Sequence, residues 1–215
     1  MATQTQWTPR LRRVTDSERE RLMYVGSLVR ERRLDDARSE LESLLRQNAR
    51  SFGANVSMGW VCNYQRKTAE ALTYFKRATS IDPKRMQPHI MAGYCHLQLR
   101  DLENARASFE AALAIDPRLP GARLGMAQVL QRSDDFDGAL EQIGQVLRID
   151  PLSAPARLML ANVLRKSGKT DLAIKELESF LKMAPANFQA YNFLSGLYNQ
   201  DGNHHKAAEM LEAAV

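Results

Sequence analysis

Four prolines, Pro83, Pro117, Pro151 and Pro185, stand 34 residues apart. A fixed interval of this size constrains the fold more than any local propensity, because periods of about 20–50 residues mark architectures built by stacking one unit on the next. The same interval links Ala37, Ala71, Ala105, Ala139, Ala173 and Ala207. Twelve residues before each alanine come Val25, Gly59, Gly93, Ala127, Ala161 and Ser195, all but the first very small. Side chains at a helix crossing must be small where the backbones approach to about 8 Å, so these two columns predict tight helix pairs. Leu41, Phe75, Phe109, Ile143, Leu177 and Leu211 follow the alanines by four residues and are expected to form the core. Ile81, Ile115, Ile149 and Met183 precede the prolines by two and are expected to close the packing before the chain turns.

Proline lacks the amide hydrogen and clashes with the preceding turn, so the I-D-P runs at 81–83, 115–117 and 149–151 read as stops between units. A second break divides each unit. It shows as Gly168 and Gly202 at one equivalent place and as Asp134-Asp135 at another, leaving two helices of about 14 residues. The prediction is therefore an all-α solenoid of about six stacked antiparallel helix pairs, with units at 18–51, 52–85, 86–119, 120–153, 154–187 and 188–215. Thr15 and Glu18 have the spacing of a capping box at the entrance. Residues 1–17 are expected to be a disordered segment whose Arg10, Arg12 and Arg13 are solvated.

A 34-residue period with a small residue at the eighth place, Ala at the twentieth and Pro at the thirty-second resembles the tetratricopeptide repeat, over residues 18–215. The departures are in the aromatic places. The fourth keeps only Tyr191 and the eleventh only Tyr198, with Leu28, Cys62, His96, Leu130 and Leu164 standing at the other eleventh places. The first unit has Ala49 where the proline would be. The resemblance implies a right-handed solenoid in which the first helix of each unit lines a concave groove through its second, fifth, ninth and twelfth places. The implied partner-binding residues are Val56, Trp60, Asn63, Ile90, Tyr94, Leu97, Gln128, Leu158, Asn162 and Asn192, flanked by Leu124, Gln131, Arg165, Gln189 and Asn199. Aromatics and amides together suit an extended peptide or a helix of a partner protein. Trp60 and Tyr94 have a second reading, as packing between neighbouring units. The lysine–asparagine clamp of chaperone-binding members is missing, since Val56, Trp60, Met91, Gly121 and Gly125 occupy its places.

No stretch approaches the roughly 18 apolar residues of a membrane span, so membrane insertion is not expected. The first seventeen residues carry three arginines and no apolar centre, which argues against a signal peptide and for the cytoplasm, or for the periplasm if a signal has been removed. Two cysteines, Cys62 and Cys95, cannot build a disulfide framework or a four-thiolate metal site and are expected to be free thiols. A net charge of +5 is diluted by 25 acidic residues and the groove columns are mostly neutral, which argues against nucleic acid.

Motifs for chemistry fail one by one. Ser167-Gly168-Lys169-Thr170 ends like a phosphate loop but lacks the upstream glycine and the preceding strand. His204-His205 has no further ligand in its unit, and His96 sits in a core column. Asn55-Val56-Ser57 matches a glycosylation acceptor inside a predicted helix. No catalytic residue, cofactor or metal is expected. The sequence therefore predicts a non-catalytic scaffold or adaptor for assembling a multiprotein complex. The alternatives are the repeat region of a larger glycosyl- or sulfotransferase and a pilus or secretion assembly lipoprotein. Met210, Leu211, Ala214 and Val215 leave apolar surface on the last helix, an expected route to self-association.

Overall fold

A computed structural model describes residues 17–214. Among them are twelve α-helices and no strand. The expected disordered segment, apart from Ser17, lies outside the described residues, as do Arg10, Arg12, Arg13, Thr15 and Val215. The helices belong to two compact units, Met1–Pro83 and Lys84–Val215.

The first unit holds α1 (Glu18–Arg30), α2 (Leu34–Gln47), α3 (Phe52–Tyr64) and α4 (Thr68–Ile81). Its entrance cap differs from the sequence expectation. Ser17 caps α1 and Glu20 bonds back to the Ser17 amide, so the capping box is Ser17 with Glu20, and Glu18 is the first helical residue. The second unit holds α5 (Met86–Gln98), α6 (Leu102–Ile115), α7 (Pro120–Arg132), α8 (Phe136–Ile149), α9 (Ala154–Lys166), α10 (Thr170–Met183), α11 (Phe188–Gln200) and α12 (His204–Glu212). Within it each second helix touches the first helix of the next pair, and α5, α7, α9 and α11 touch in succession as an inner layer. This is the architecture of an all-α solenoid.

The twentieth-place alanines are 0–2% exposed in every pair. The eighth place and the large core residue are matched in volume. Where the eighth place is glycine the partner is phenylalanine, and a Cβ added at Gly59 or Gly93 would stand 2.6 or 2.7 Å from the ring of Phe75 or Phe109. Where the eighth place is alanine or valine the partner shrinks to Leu41, Ile143 or Leu177, each 0% exposed. Leu211, in the same column, departs from the core expectation and is 47% exposed, because among the described residues no helix follows α12 to cover it. Ile115, Ile149 and Met183 are corrections too. They are 39, 56 and 48% exposed, since the helix end turns them past the inter-helix contact.

Three fourth-place residues are arginines that form polar staples. Arg21 donates to Glu40 at 2.6 Å, Arg123 to Gln142 at 2.9 Å, and Arg157 pairs with Glu176. Each clips the first helix of a pair to its second.

The turn inside every pair has one geometry. Arg32, Arg66, Arg100, Asp134, Gly168 and Gly202 all have φ between 58° and 79°, again 34 residues apart. Asp134 is thus equivalent to the two glycines rather than at a separate place. The following amide closes a six-residue ring, as in Lys67 N to Cys62 O at 2.9 Å and Asp101 N to His96 O at 2.9 Å, the Schellman arrangement that usually takes glycine. Left-handed backbone costs a side-chain-bearing residue about 1–2 kcal/mol, partly offset by the lower entropy of its unfolded state. Arg66→Gly and Arg100→Gly are each expected to stabilise the protein by about 0.5–1 kcal/mol in chemical denaturation. Ser167-Gly168-Lys169-Thr170 is one of these turns.

The turn between pairs uses an Asx bond as well as proline. Asp116 Oδ1 accepts from Arg118 N at 2.8 Å, and Asn48 Oδ1 accepts from Arg50 N at 3.1 Å. The first pair therefore makes the same turn with Ala49 in place of proline.

Candidate functional site

In the second unit, α7, α9 and α11 enclose an open concavity of about 660 Å³ on the inner layer. It is lined by Gln128, Gln131 and Arg132 of α7, by Pro155, Leu158, Met159, Asn162 and Lys166 of α9, and by Phe193 of α11. Four of the residues read from sequence as facing the groove, Gln128, Gln131, Leu158 and Asn162, meet here. Apolar side chains from α9 and α11 form its walls, and amides stand between them. Asn162 Oδ1 accepts from Arg165 Nη2 at 3.1 Å, which fixes the amide. Arg132 Nη1 donates to the Leu97 carbonyl at 2.6 Å, which anchors its guanidinium at the rim.

The other predicted residues are placed differently. Leu97 is a correction: it is 2% exposed and, with Leu124 at 7%, belongs to the core cluster that also holds Phe109, Ala127 and Ile143, so packing claims it before the groove can. Ile90 and Tyr94 are half-buried on α5. Tyr94 packs edge-on to Phe109 at 5.1 Å and donates its hydroxyl to Gly121 O at 2.9 Å, so it ties α5 to α7. Asn192 is exposed on α11, beside Phe193. In the first unit Val56, Trp60 and Asn63 are half-buried on α3, and Trp60 stacks on Tyr64 and meets Phe75 edge-on, both at 6.1 Å. The reading as packing between neighbouring units thus fits Tyr94, through Gly121 O, whereas these ring contacts of Trp60 lie within its own pair.

Arg132, Pro155, Met159, Lys166 and Phe193 were not among the residues named from sequence. Met159, Phe193, Arg132 and Lys166 sit one residue beyond the fifth and twelfth places. Helical side chains lean toward the N-terminus, so a given surface spot is covered by a residue about one position further along. That lean was the available signal.

Residues suggestive of chemistry have structural partners. His96 is 3% exposed with Nδ1 2.9 Å from Asp101 Oδ2. The Asn104 amide and backbone hold the Asp101 carboxyl below its usual range, with His96 contributing less. His204 and His205 are exposed and meet Asn199 and Glu209. Asn55 is fully buried and donates to Ala49 O and Ser51 O. Among the described residues no group of three metal-ligating side chains forms, and no helix is long and apolar enough to cross a membrane.

Cys62 and Cys95 are free and buried, and burial pushes each thiol up to about 11. An unfolded thiol near 9 releases its proton first, so stability falls as pH climbs from 9 toward 11. At pH 8 a disulfide reagent is expected to leave both thiols unreacted until denaturant is added, and then to titrate two.

Two family models described as tetratricopeptide repeat match the chain, one over residues 97–163 and the other over 27–85, 64–120 and 158–215. No curated protein matches it. Among solved structures it is similar to a tetratricopeptide repeat protein from Parabacteroides merdae, at 19% identity and TM-score 0.77 over 90% of this chain and 77% of that one. It is also similar to PilW, a type IV pilus biogenesis factor, at 18% identity and TM-score 0.79 over 91% of both chains. YrrB, a tetratricopeptide repeat protein with an unusual peptide-binding site, aligns at 18% identity and TM-score 0.57 over 81% of this chain and 90% of that one. At these identities the likeness is one of fold. Matched over most of its length, the chain belongs to the tetratricopeptide repeat family.

Proposed function

We propose that this protein is a non-catalytic scaffold that holds a peptide or helix of a partner protein in the concavity of α7, α9 and α11, as a step in assembling a multiprotein complex. The observation that carries this reading is the convergence of Leu158, Met159 and Phe193 with the amides of Gln128, Gln131 and Asn162 around one open concavity of about 660 Å³. Apolar walls supply contact area, and amides hydrogen-bond a backbone without demanding charge. The fold it shares with YrrB, a tetratricopeptide repeat protein with an unusual peptide-binding site, and with PilW, a type IV pilus biogenesis factor, supports binding and assembly as the kinds of role to test.

Affinity capture from the source cells with the wild-type chain, Leu158→Glu and Asn162→Ala tests it. The partner is expected to be lost with Leu158→Glu and weakened with Asn162→Ala, both variants keeping their helical circular dichroism. Unchanged capture by two folded variants would move the binding surface elsewhere.

A further inference from the structure

We infer that the concavity of α7, α9 and α11 selects an acidic, extended polypeptide segment that it holds along its length; this rests on the groove being the binding face. Three observations lead there. First, the inner helices of the second unit carry no carboxylate: α5, α7, α9 and α11 contain neither Asp nor Glu, although the chain has 25 acidic residues. Those of this unit lie on the second helices and in the turns.

Second, among the described residues the only charged side chains lining the concavity are cationic, Arg132 from α7 and Lys166 from α9. Arg132 has one guanidinium nitrogen committed to Leu97 O, and Lys166 is exposed. The other inner-helix arginines, Arg123, Arg157 and Arg165, are turned to Gln142, Glu176 and Asn162. Two rim cations facing no anion favour and steer an anionic partner.

Third, Gln131 is 6% exposed and lines the same concavity, yet among the described residues its Nε2 has no hydrogen-bond partner. A buried donor left unsatisfied is costly, and a small turn of the Gln131 side chain toward the groove would let a ligand's backbone carbonyl remove that cost. The walls of Pro155, Leu158, Met159 and Phe193 then call for apolar side chains between the acids. With Phe193 as the one aromatic ring among the described lining residues, the surface is poor in the stacking platforms that a single-stranded nucleic acid uses. The place for this signal is the middle of a chain, since carbonyl and side-chain carboxylates supply every group that the cations and the amide need.

The test is an array of random peptides of roughly twelve residues, about 40 Å when extended, amidated at the C-terminus and probed with the full chain. The bound set is expected to be rich in Asp and Glu alternating with apolar residues. Lys166→Glu is expected to weaken its members about tenfold and to steepen in effect at low salt. Gln131→Leu, a change between residues of similar size in a buried position, is expected to weaken them about fivefold with helicity unchanged. A neutral or basic bound set that Leu158→Glu still abolishes would overturn the acidic class and leave the groove reading standing. An acidic set indifferent to Lys166→Glu and Gln131→Leu would overturn the site. No bound peptide at all would overturn the groove reading itself. Tighter binding of an oligothymidylate, lost in Lys166→Glu, would overturn the choice of polypeptide.

Discussion

Phe109→Ala is expected to lower the stability of the protein by about 3–5 kcal/mol and to broaden its unfolding transition. Phe109 is fully buried, meets Tyr94 edge-on, and lies against the backbone of two inner helices at Gly93 of α5 and Gly125 of α7. It therefore fills both the interior of its own pair and the seam to the next. Neither glycine has a side chain that could move into the vacated space, so the cavity persists and the cost falls at the upper end for an aromatic truncation. In a stacked array the coupling between neighbouring units sets cooperativity, and this residue is part of that coupling. Urea denaturation followed by circular dichroism measures both effects. A loss below about 1 kcal/mol with an unchanged slope would show that the seam does not depend on the ring.

Gly125→Ala is expected to destabilise the wild-type chain by about 1–3 kcal/mol and to stabilise a Phe109→Leu background. Alanine gains about 1 kcal/mol over glycine in a helix interior, so propensity alone predicts a more stable variant. The added Cβ, however, would overlap Cε1 and Cζ of Phe109, a ring wedged in the core with no free direction to swing. Overlap outweighs propensity there. Leucine at 109 lacks both of these atoms and can rotate its flexible Cδ1, whose counterpart in the ring lies 2.7 Å from the added Cβ, off the methyl group, so the propensity gain then decides the sign. A double-mutant cycle should give a coupling of about 1 kcal/mol or more, whereas additive effects would mean the helices shift to accept the methyl group.

The architecture was legible because the constraint that builds it is periodic. Six alanines at one place and a small residue twelve before each describe a crossing that repeats, and the helix pairs begin at 18, 52, 86, 120, 154 and 188. What could not be read depends on direction rather than spacing. Ile115, Ile149 and Met183 keep the same register as the alanines, yet register does not say that a helix end turns them outward. The pair-closing turn was legible at Gly168 and Gly202, because glycine announces left-handed backbone, and hidden at Arg32, Arg66 and Arg100, where closure imposes it on a residue that gives no sign.

The candidate site was half legible for the same reason. Gln128, Leu158 and Asn162 follow from the helical face, whereas Leu97 on that face is claimed by the core and Lys166, one position beyond it, reaches the rim. Charge carried information that position did not. Inner helices free of carboxylates are visible in the sequence, but their meaning depends on knowing which arginines are already paired and which cations face the concavity.

The most direct test of the central claim places a photo-activated cross-linking residue at Asn162, in the concavity, or at Glu110, on the exposed surface of α6, and irradiates the protein in its source cells. A groove scaffold predicts partner adducts from position 162 and none from position 110. Adducts from position 110 alone would contradict it.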